Sequence, residues 1–316
     1  MREAAARLGR GALVAFPTET VYGLGADATN AAAVARIYEV KGRPSDHPLI
    51  VHIADLKYLD QWISDIPEYG IALARNFWPG PMTLILLRSE LAKDFITGGQ
   101  NTVGLRIPNN AIALGLLEAF HKFGGAGIAA PSANRFGRVS PTNAMAVKEE
   151  LAEFLLDTDL ILDGGPAEIG LESTIIDCTG GLPKILRPGA ITIDMIEEVT
   201  GHKIQDILEV KAEDFKEETI RVSGSLESHY APKAKVILDQ EPITGSGFIA
   251  LECVTTPVGV IRLAAPRSIE EFAKILYESL RAGDNQKLEY VYIEQPSGDG
   301  LALAIRDRLG RSAKGR

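Results

Sequence analysis

The stretch GALVAFPTETVYGLGADATNAAAVARIYEVKGRPSDHPLIVHI, residues 11–53, decides the fold class. Ala12 to Phe16 is a short, unbroken apolar run, the pattern of a buried strand. Asn30 stands where a helix from Ala31 to about Val40 needs an N-cap. Pro48 to Ile53 is again apolar and of strand length. A strand, a helix and a second strand, joined by hydroxyl-rich and basic loops, form the opening of an α/β protein.

The alternation continues outward from this unit. A helix is expected over Pro67 to Trp78, stopped by Pro79-Gly80-Pro81, and a strand over Met82 to Leu87. Val103 to Arg106 reads as a short strand, and Asn109 or Asn110 can cap a helix to about Phe123. Gly127 to Ala130, Leu160 to Leu162, Thr174 to Cys178 and Lys184 to Arg187 read as strands. A helix from about Asp194 ends at Gly201. Gln205 to Thr219 is polar and acidic, and Ser223-Gly224-Ser225 and His229-Tyr230-Ala231-Pro232 follow, which reads as a linker. From Lys233 a second alternation begins. Val236 to Leu238, Gly247 to Leu251, Gly259 to Arg262 and Tyr290 to Glu294 read as strands. Helices are expected from Ser268 to about Ala282 and from Leu301 to Leu309, and the basic tail Arg308 to Arg316 is expected to fray. The expected organisation is residues 1–202 as one domain, 203–233 as a linker or lid, and 234–316 as a smaller α/β domain.

Composition narrows the function classes. Among 316 residues, 33 Lys and Arg face 42 Asp and Glu, a formal charge of −9, which disfavours nonspecific coating of nucleic acid or anionic membrane. No apolar run approaches the roughly 18 residues of a membrane span, and the N-terminus lacks the apolar core of a signal peptide. The two cysteines, Cys178 and Cys253, read as small core residues of a cytoplasmic protein. Gly23-Leu24-Gly25-Ala26-Asp27-Ala28 matches G-x-G-x-x-A. A nicotinamide or flavin reading fails, because Pro17 to Tyr22 separate it from the strand and no helix opens at once. There is no P-loop, no G-x-S-x-G, and no histidine spacing for a protein-bound metal.

The loops at strand ends carry the chemistry. Pro17-Thr18-Glu19-Thr20 offers hydroxyls to a ligand or closes an ST-turn on itself. Lys41-Gly42-Arg43-Pro44-Ser45-Asp46-His47 puts two cations and a histidine in a rigid loop, either an anion site or a solvated cap. His52 is either a core-edge histidine or a substrate donor. Arg106, inside an apolar strand, needs an anion, either a carboxylate ligand or a remote Asp or Glu. Ala130-Pro131-Ser132-Ala133-Asn134 and Ser140-Pro141-Thr142 offer small residues, backbone N–H groups and hydroxyls suited to phosphate. Leu171-Glu172-Ser173-Thr174 and Leu186-Arg187-Pro188-Gly189 complete a set that points to a multiply charged anionic ligand.

These motifs resemble the YrdC-like family of L-threonylcarbamoyl-AMP synthases. The resemblance rests on PTETVYGL (17–24), KGRP (41–44), PLIVH (48–52), WPGPMT (78–83), GLRIP (104–108), APSAN (130–134) and STI (173–175), in family order over roughly residues 1–200. His229-Tyr230-Ala231-Pro232 followed by a second α/β region is similar to the two-domain form. The resemblance implies a twisted mixed sheet with flanking helices and a smaller Rossmann-like C-terminal domain. It implies a nucleotidyltransferase that condenses ATP, L-threonine and bicarbonate or CO2, with Mg2+ accompanying ATP and no protein-bound metal. The product would serve the downstream tRNA threonylcarbamoyl transferase machinery; direct contact with tRNA stays open. By motif position, Lys41 and Arg43 would act on phosphate or bicarbonate charge. Thr20, His52, Arg106, Ala130 and Ser173 would hold threonine. Arg43, His47, Thr102, Ser132, Ser140, Arg187 and Tyr230 would line the ATP site. His47 stands where the family has Asn, and residues 223–228 differ from its Pro-Gly-Met-Lys linker. The alternative reading is a non-catalytic YrdC-like RNA-binding or ribosome-assembly factor.

Overall fold

A computed structural model describes residues 1–204, 220–222, 224 and 229–315. The acidic stretch Gln205 to Thr219 and the linker residues Ser223 and Ser225 to Ser228 lie outside them. The described chain runs through α1 (Arg2–Gly9), β1 (Val14–Phe16), β2 (Gly23–Asp27), α2 (Ala31–Lys41), β3 (Ile50–His52), β4 (Ile63–Asp65), α3 (Glu68–Phe77), β5 (Met82–Arg88), α4 (Asp94–Thr97) and β6 (Thr102–Arg106). It continues through α5 (Ala111–Lys122), β7 (Ile128–Ala129), α6 (Ala144–Leu151), β8 (Leu160–Ile161), β9 (Thr174–Asp177), β10 (Lys184–Arg187) and α7 (Ile193–Thr200). After the linker come β11 (Lys235–Leu238), β12 (Gly247–Ile249), β13 (Ile261–Ala264), α8 (Ile269–Asn285), β14 (Tyr290–Ile293) and α9 (Leu301–Ala313).

The larger sheet is mixed, in the order β10-β9-β5-β6-β3-β7-β2-β1-β8, with β4 added beside β5. It contains parallel pairs such as β3 with β6 and antiparallel ones such as β5 with β6. The smaller sheet, β11-β14-β12-β13, is wholly parallel. Helix α8 makes the crossover from β13 to β14.

Local chemistry fixes the elements that carry the site. Asn30 caps α2 by accepting from the N–H groups of Ala32 and Ala33, and Asn110 caps α5 in the same way. Each such cap contributes about 1 kcal/mol. Gly42 ends α2 with φ 62°, where a Cβ would meet the Arg135 guanidinium at 2.8 Å, so the turn that presents Arg43 requires glycine. One face of the larger sheet buries Leu24, Val51, Leu84 and Leu105 under α2 and α3. Leu8, Phe16, Leu116 and Phe120 pack a second layer under α1 and α5. A third core joins Phe272, Leu276, Tyr277 and Ile305 of the smaller sheet's helices to Val21, Val139 and Leu171.

Three expectations need correction. Gly23 to Asp27 is a strand in register with β1, where a Cβ on Gly25 would strike Ile128 at 2.7 Å; its glycines disguise the strand as a loop. Cys253 is exposed, and only Cys178 is buried. The basic tail does not fray at Arg308: α9 runs to Ala313, Arg308 is wholly buried and Ser312 nearly so. Helices α1, α4 and α6 and strand β4 are not read from the sequence. Among the described residues no helix is long and apolar enough to cross a membrane.

Candidate active site

The loops that leave the larger sheet converge on one cavity, closed over by His229 and Tyr230. It is lined by Thr20, Lys41, Arg43, His52, Arg106, Ala130, Ser132, Ser173, Arg187 and Tyr230 among the predicted residues. Only about 50 Å³ is open inside it, well below the roughly 300–1,000 Å³ of ordinary ligand pockets.

On one side of the cavity, Lys41 at the end of α2 is buried. Its Nζ donates to the carbonyl oxygens of Ser132 and Asn134, each at 2.5 Å. Burial, then the neighbouring Arg43, pushes its pKa well below the ordinary lysine value. Arg43 donates to the Pro48 carbonyl at 2.9 Å and lies 5.8 Å from the Phe136 ring centre. Burial lowers its pKa to about 10. Arg187, also buried and lowered chiefly by burial, donates to the carbonyl and Oγ of Ser173. The Ser132 hydroxyl is held by Asn134 Oδ1 at 2.6 Å.

On the other side, β3 and β6 place His52 directly opposite Arg106. Arg106 Nη2 lies 2.7 Å from Glu19 Oε1 with both side chains buried, so the remote-carboxylate reading of Arg106 is realised in the unliganded protein. The contact is ionic but not aligned as a hydrogen bond. Arg106 Nε and Nη2 have no hydrogen-bond partner among the described residues, nor does His52 Nδ1. Burial, then the charge of Arg106, lowers His52 to about 3, so its imidazole is neutral. Thr18 Oγ1 donates to the Val21 carbonyl at 2.7 Å, closing the ST-turn, and contacts Thr20 Oγ1 at 2.8 Å. The motif therefore closes on itself through Thr18 and faces the cavity through Thr20.

Three predicted residues are not on the wall. His47 sets its ring edge-on to Phe136 with centres 5.5 Å apart. Thr102 lines a separate crevice with Gln100 and Arg221. Ser140 sits one layer back, its Oγ donating to Glu172 Oε1 at 2.6 Å. Sequence reading assigned no role to Glu172, His229 and Phe136, which do line the cavity. It also passed over Arg308 and Tyr277, which reach Glu172 from the smaller sheet's helices. A signal for Arg308 was available: it follows Ala304 by four residues and precedes Ser312 by four, on the buried face of α9.

Tyr230 has φ 59°, and its ring stacks on Tyr277 at 5.7 Å between centres. Its hydroxyl is buried with no hydrogen-bond partner among the described residues. His229, 4.1 Å from the Tyr230 ring centre, is lowered to about 3, first by burial and then by Lys41, Arg43 and Arg187, despite the opposing pull of Glu172.

Known proteins resemble this chain in sequence and in fold. The family model described as "Telomere recombination", of the Sua5, YciO and YrdC proteins, matches residues 6–189. The model described as "Threonylcarbamoyl-AMP synthase, C-terminal domain" matches residues 191–314. A threonylcarbamoyl-AMP synthase of Pyrococcus abyssi is 41% identical, with 99% of this chain and 94% of that protein covered. The Bacillus subtilis enzyme of the same name is 39% identical, with 99% and 93% covered. The crystal structure of P. abyssi Sua5 complexed with L-threonine superposes with a TM-score of 0.87 at 39% identity, covering 99% of this chain and 94% of that one. With both halves matched in order and nearly the whole length aligned, the chain belongs to the two-domain threonylcarbamoyl-AMP synthase family.

Proposed function

We propose that the protein condenses L-threonine, bicarbonate or CO2, and ATP into L-threonylcarbamoyl-AMP and pyrophosphate, in a catalytic unit of residues 1–202. Residues 203–233 then serve as a closing segment and 234–316 as a supporting unit. One observation carries this reading: Lys41, Arg43, Arg106 and Arg187 meet in a single cavity. Burial has lowered three of them, Lys41, Arg43 and Arg187. Clustered cations out of water are costly until anions join them, and a triphosphate beside an amino-acid carboxylate supplies those anions.

The chemistry follows from the two sides of the cavity. Arg106 takes the threonine carboxylate, and neutral His52, Thr20, Ala130 and Ser173 enclose the rest of the amino acid. The threonine amine, once deprotonated, attacks the carbon of CO2 to give N-carboxy-threonine. An oxygen of that carbamate attacks the α-phosphorus of ATP, the bond to the β-phosphate oxygen breaks, and pyrophosphate leaves. Lys41 and Arg43 spread the charge on carbamate and phosphate, and Ser132, Arg187 and Tyr230 hold the nucleotide. Ser140 acts through Glu172, while His47 and Thr102, expected at the ATP site, do not line this cavity. The protein supplies position and charge stabilisation rather than covalent catalysis. Closure by His229 and Tyr230 keeps water from the mixed anhydride.

Glu172 and Glu19 are committed to Arg308 and Arg106, so Mg2+ is read as part of the MgATP substrate. The product feeds tRNA threonylcarbamoylation in the cytoplasm. Incubation with ATP, radiolabelled bicarbonate and threonine tests the reading. Pyrophosphate release and labelled adenylate should need all three; release that ignores threonine contradicts it.

A further inference from the structure

Helices α8 and α9, outside the catalytic unit, send two side chains, Tyr277 and Arg308, to Glu172, a residue of the cavity wall. Glu172 lines that wall and is buried. Its Oε2 accepts from Arg308 Nε at 2.9 Å and from the Tyr277 hydroxyl at 2.8 Å, and its Oε1 accepts from Ser140 Oγ at 2.6 Å. Arg308 itself is wholly buried. Its Nη2 donates to the Pro188 carbonyl at 3.0 Å, immediately after Arg187, and its Cζ lies 5.4 Å from the Tyr230 ring centre. One turn further on, Ser312 Oγ donates to the Tyr230 carbonyl at 2.9 Å.

The arrangement raises a question of charge. Burial by itself would favour a neutral Glu172, but Arg308 and Arg187 outweigh it and bring its pKa to about 2, so it is anionic. An anionic carboxylate on the wall of a polyphosphate site repels the ligand and competes for its cations. Glu172 and Arg187 also act on each other electrostatically. In this structure Glu172 is ion-paired with Arg308 instead.

We propose that Arg308 is a positioning residue for the nucleotide half of the site. It holds the Glu172 carboxylate away from Arg187 and supports Tyr230, so that the C-terminal unit sets affinity for ATP but not for threonine. The inference rests on the synthase reading above and assigns this unit a defined part in it. Among the described residues, no hydrogen bond or ion pair joins Arg308 to Arg106, His52 or Thr20 on the threonine side.

Steady-state kinetics on full-length Arg308→Met, Arg308→Lys, Tyr277→Phe and the double variant Arg308→Met with Glu172→Gln test it. Arg308→Met should raise KM for ATP by at least about tenfold while KM for threonine moves by less than about twofold. Tyr277→Phe, which leaves the ion pair, should give a shift of about two- to threefold in the same direction. Removing the charge of Glu172 in the double variant should restore KM for ATP to within about threefold of the parent, a rescue that general loosening of the fold does not produce. If Arg308→Met unfolds, Arg308→Lys and Tyr277→Phe carry the same split. Equal losses for both substrates, an unchanged KM for ATP, or no rescue by Glu172→Gln overturn the inference. A parent protein that forms no adenylate from the three substrates refutes the synthase reading itself, a separate outcome from an active parent whose Arg308 variants behave like it.

Discussion

Arg106 and Glu19 form a buried ion pair, Nη2 to Oε1 at 2.7 Å, at the end of the cavity assigned to threonine. Breaking such a pair from one side leaves an uncompensated charge, at a cost of about 3–5 kcal/mol. Glu19→Gln should therefore lower the melting temperature of the unliganded protein. Threonine should restore more stability to this variant than to the parent, because its carboxylate replaces the missing counter-ion. Melting curves with and without threonine check this; an equal threonine effect in both proteins contradicts it.

Arg106→Ala removes the cation itself. Its threonine affinity should fall by at least about tenfold more than its affinity for an ATP analogue. Calorimetric titration of each ligand separates the two, and equal losses contradict the assigned role.

Lys41→Met tests the other side. The ammonium group holds the carbonyls of Ser132 and Asn134, and each orphaned carbonyl costs about 1–3 kcal/mol. Turnover should fall by at least about a hundredfold, with the threonine affinity of the folded variant kept within about threefold of the parent. Equilibrium unfolding and single-turnover assays report the two effects.

The Tyr230 hydroxyl is buried with no hydrogen-bond partner among the described residues. Tyr230→Phe should therefore stabilise the unliganded protein by up to about 1 kcal/mol while weakening ATP binding. Gly224→Ala should weaken ATP binding and also destabilise, since its φ is 85° and a Cβ there would lie 2.4 Å from that hydroxyl. Urea midpoints and ATP titrations distinguish the opposite stability effects.

Two buried histidines set the pH dependence. His52 and His229 have folded pKa values of about 3, against 6.5 for a free imidazole. The unfolded chain therefore binds more protons as pH falls below 6.5, and stability falls with it until both imidazoles titrate near 3. Unfolding should take up about 1.5 protons from this pair at pH 6, rising to nearly two at pH 5. Glu172, at about 2 against 4.5, adds a further loss below pH 4.5. Urea midpoints across pH should show this slope, and His52→Gln should remove about one proton of it. A slope unaltered in that variant contradicts the assignment.

Much of the architecture was legible because it rests on local chemistry. Apolar runs gave β1, β3, β5, β9 and β14, and Asn30, Asn110 and Ser268 marked helix starts by their capping oxygens. Strand β2 was hidden because Gly23 and Gly25 meet a crowded neighbour rather than a turn. The anion-binding loops were visible as cations and hydroxyls at strand ends. Partners across the chain were not: nothing in spacing links Arg106 to Glu19, or Glu172 to Arg308. Tertiary pairing decides those contacts, and it also made a buried, ion-paired helix of what looked like a basic tail.

The account stands on one cavity holding an amino acid beside a triphosphate. Titrating a non-hydrolysable ATP analogue into threonine-saturated protein tests this most directly. The account predicts one-to-one binding with threonine retained and an affinity no weaker than without it; displacement of threonine by the analogue contradicts it.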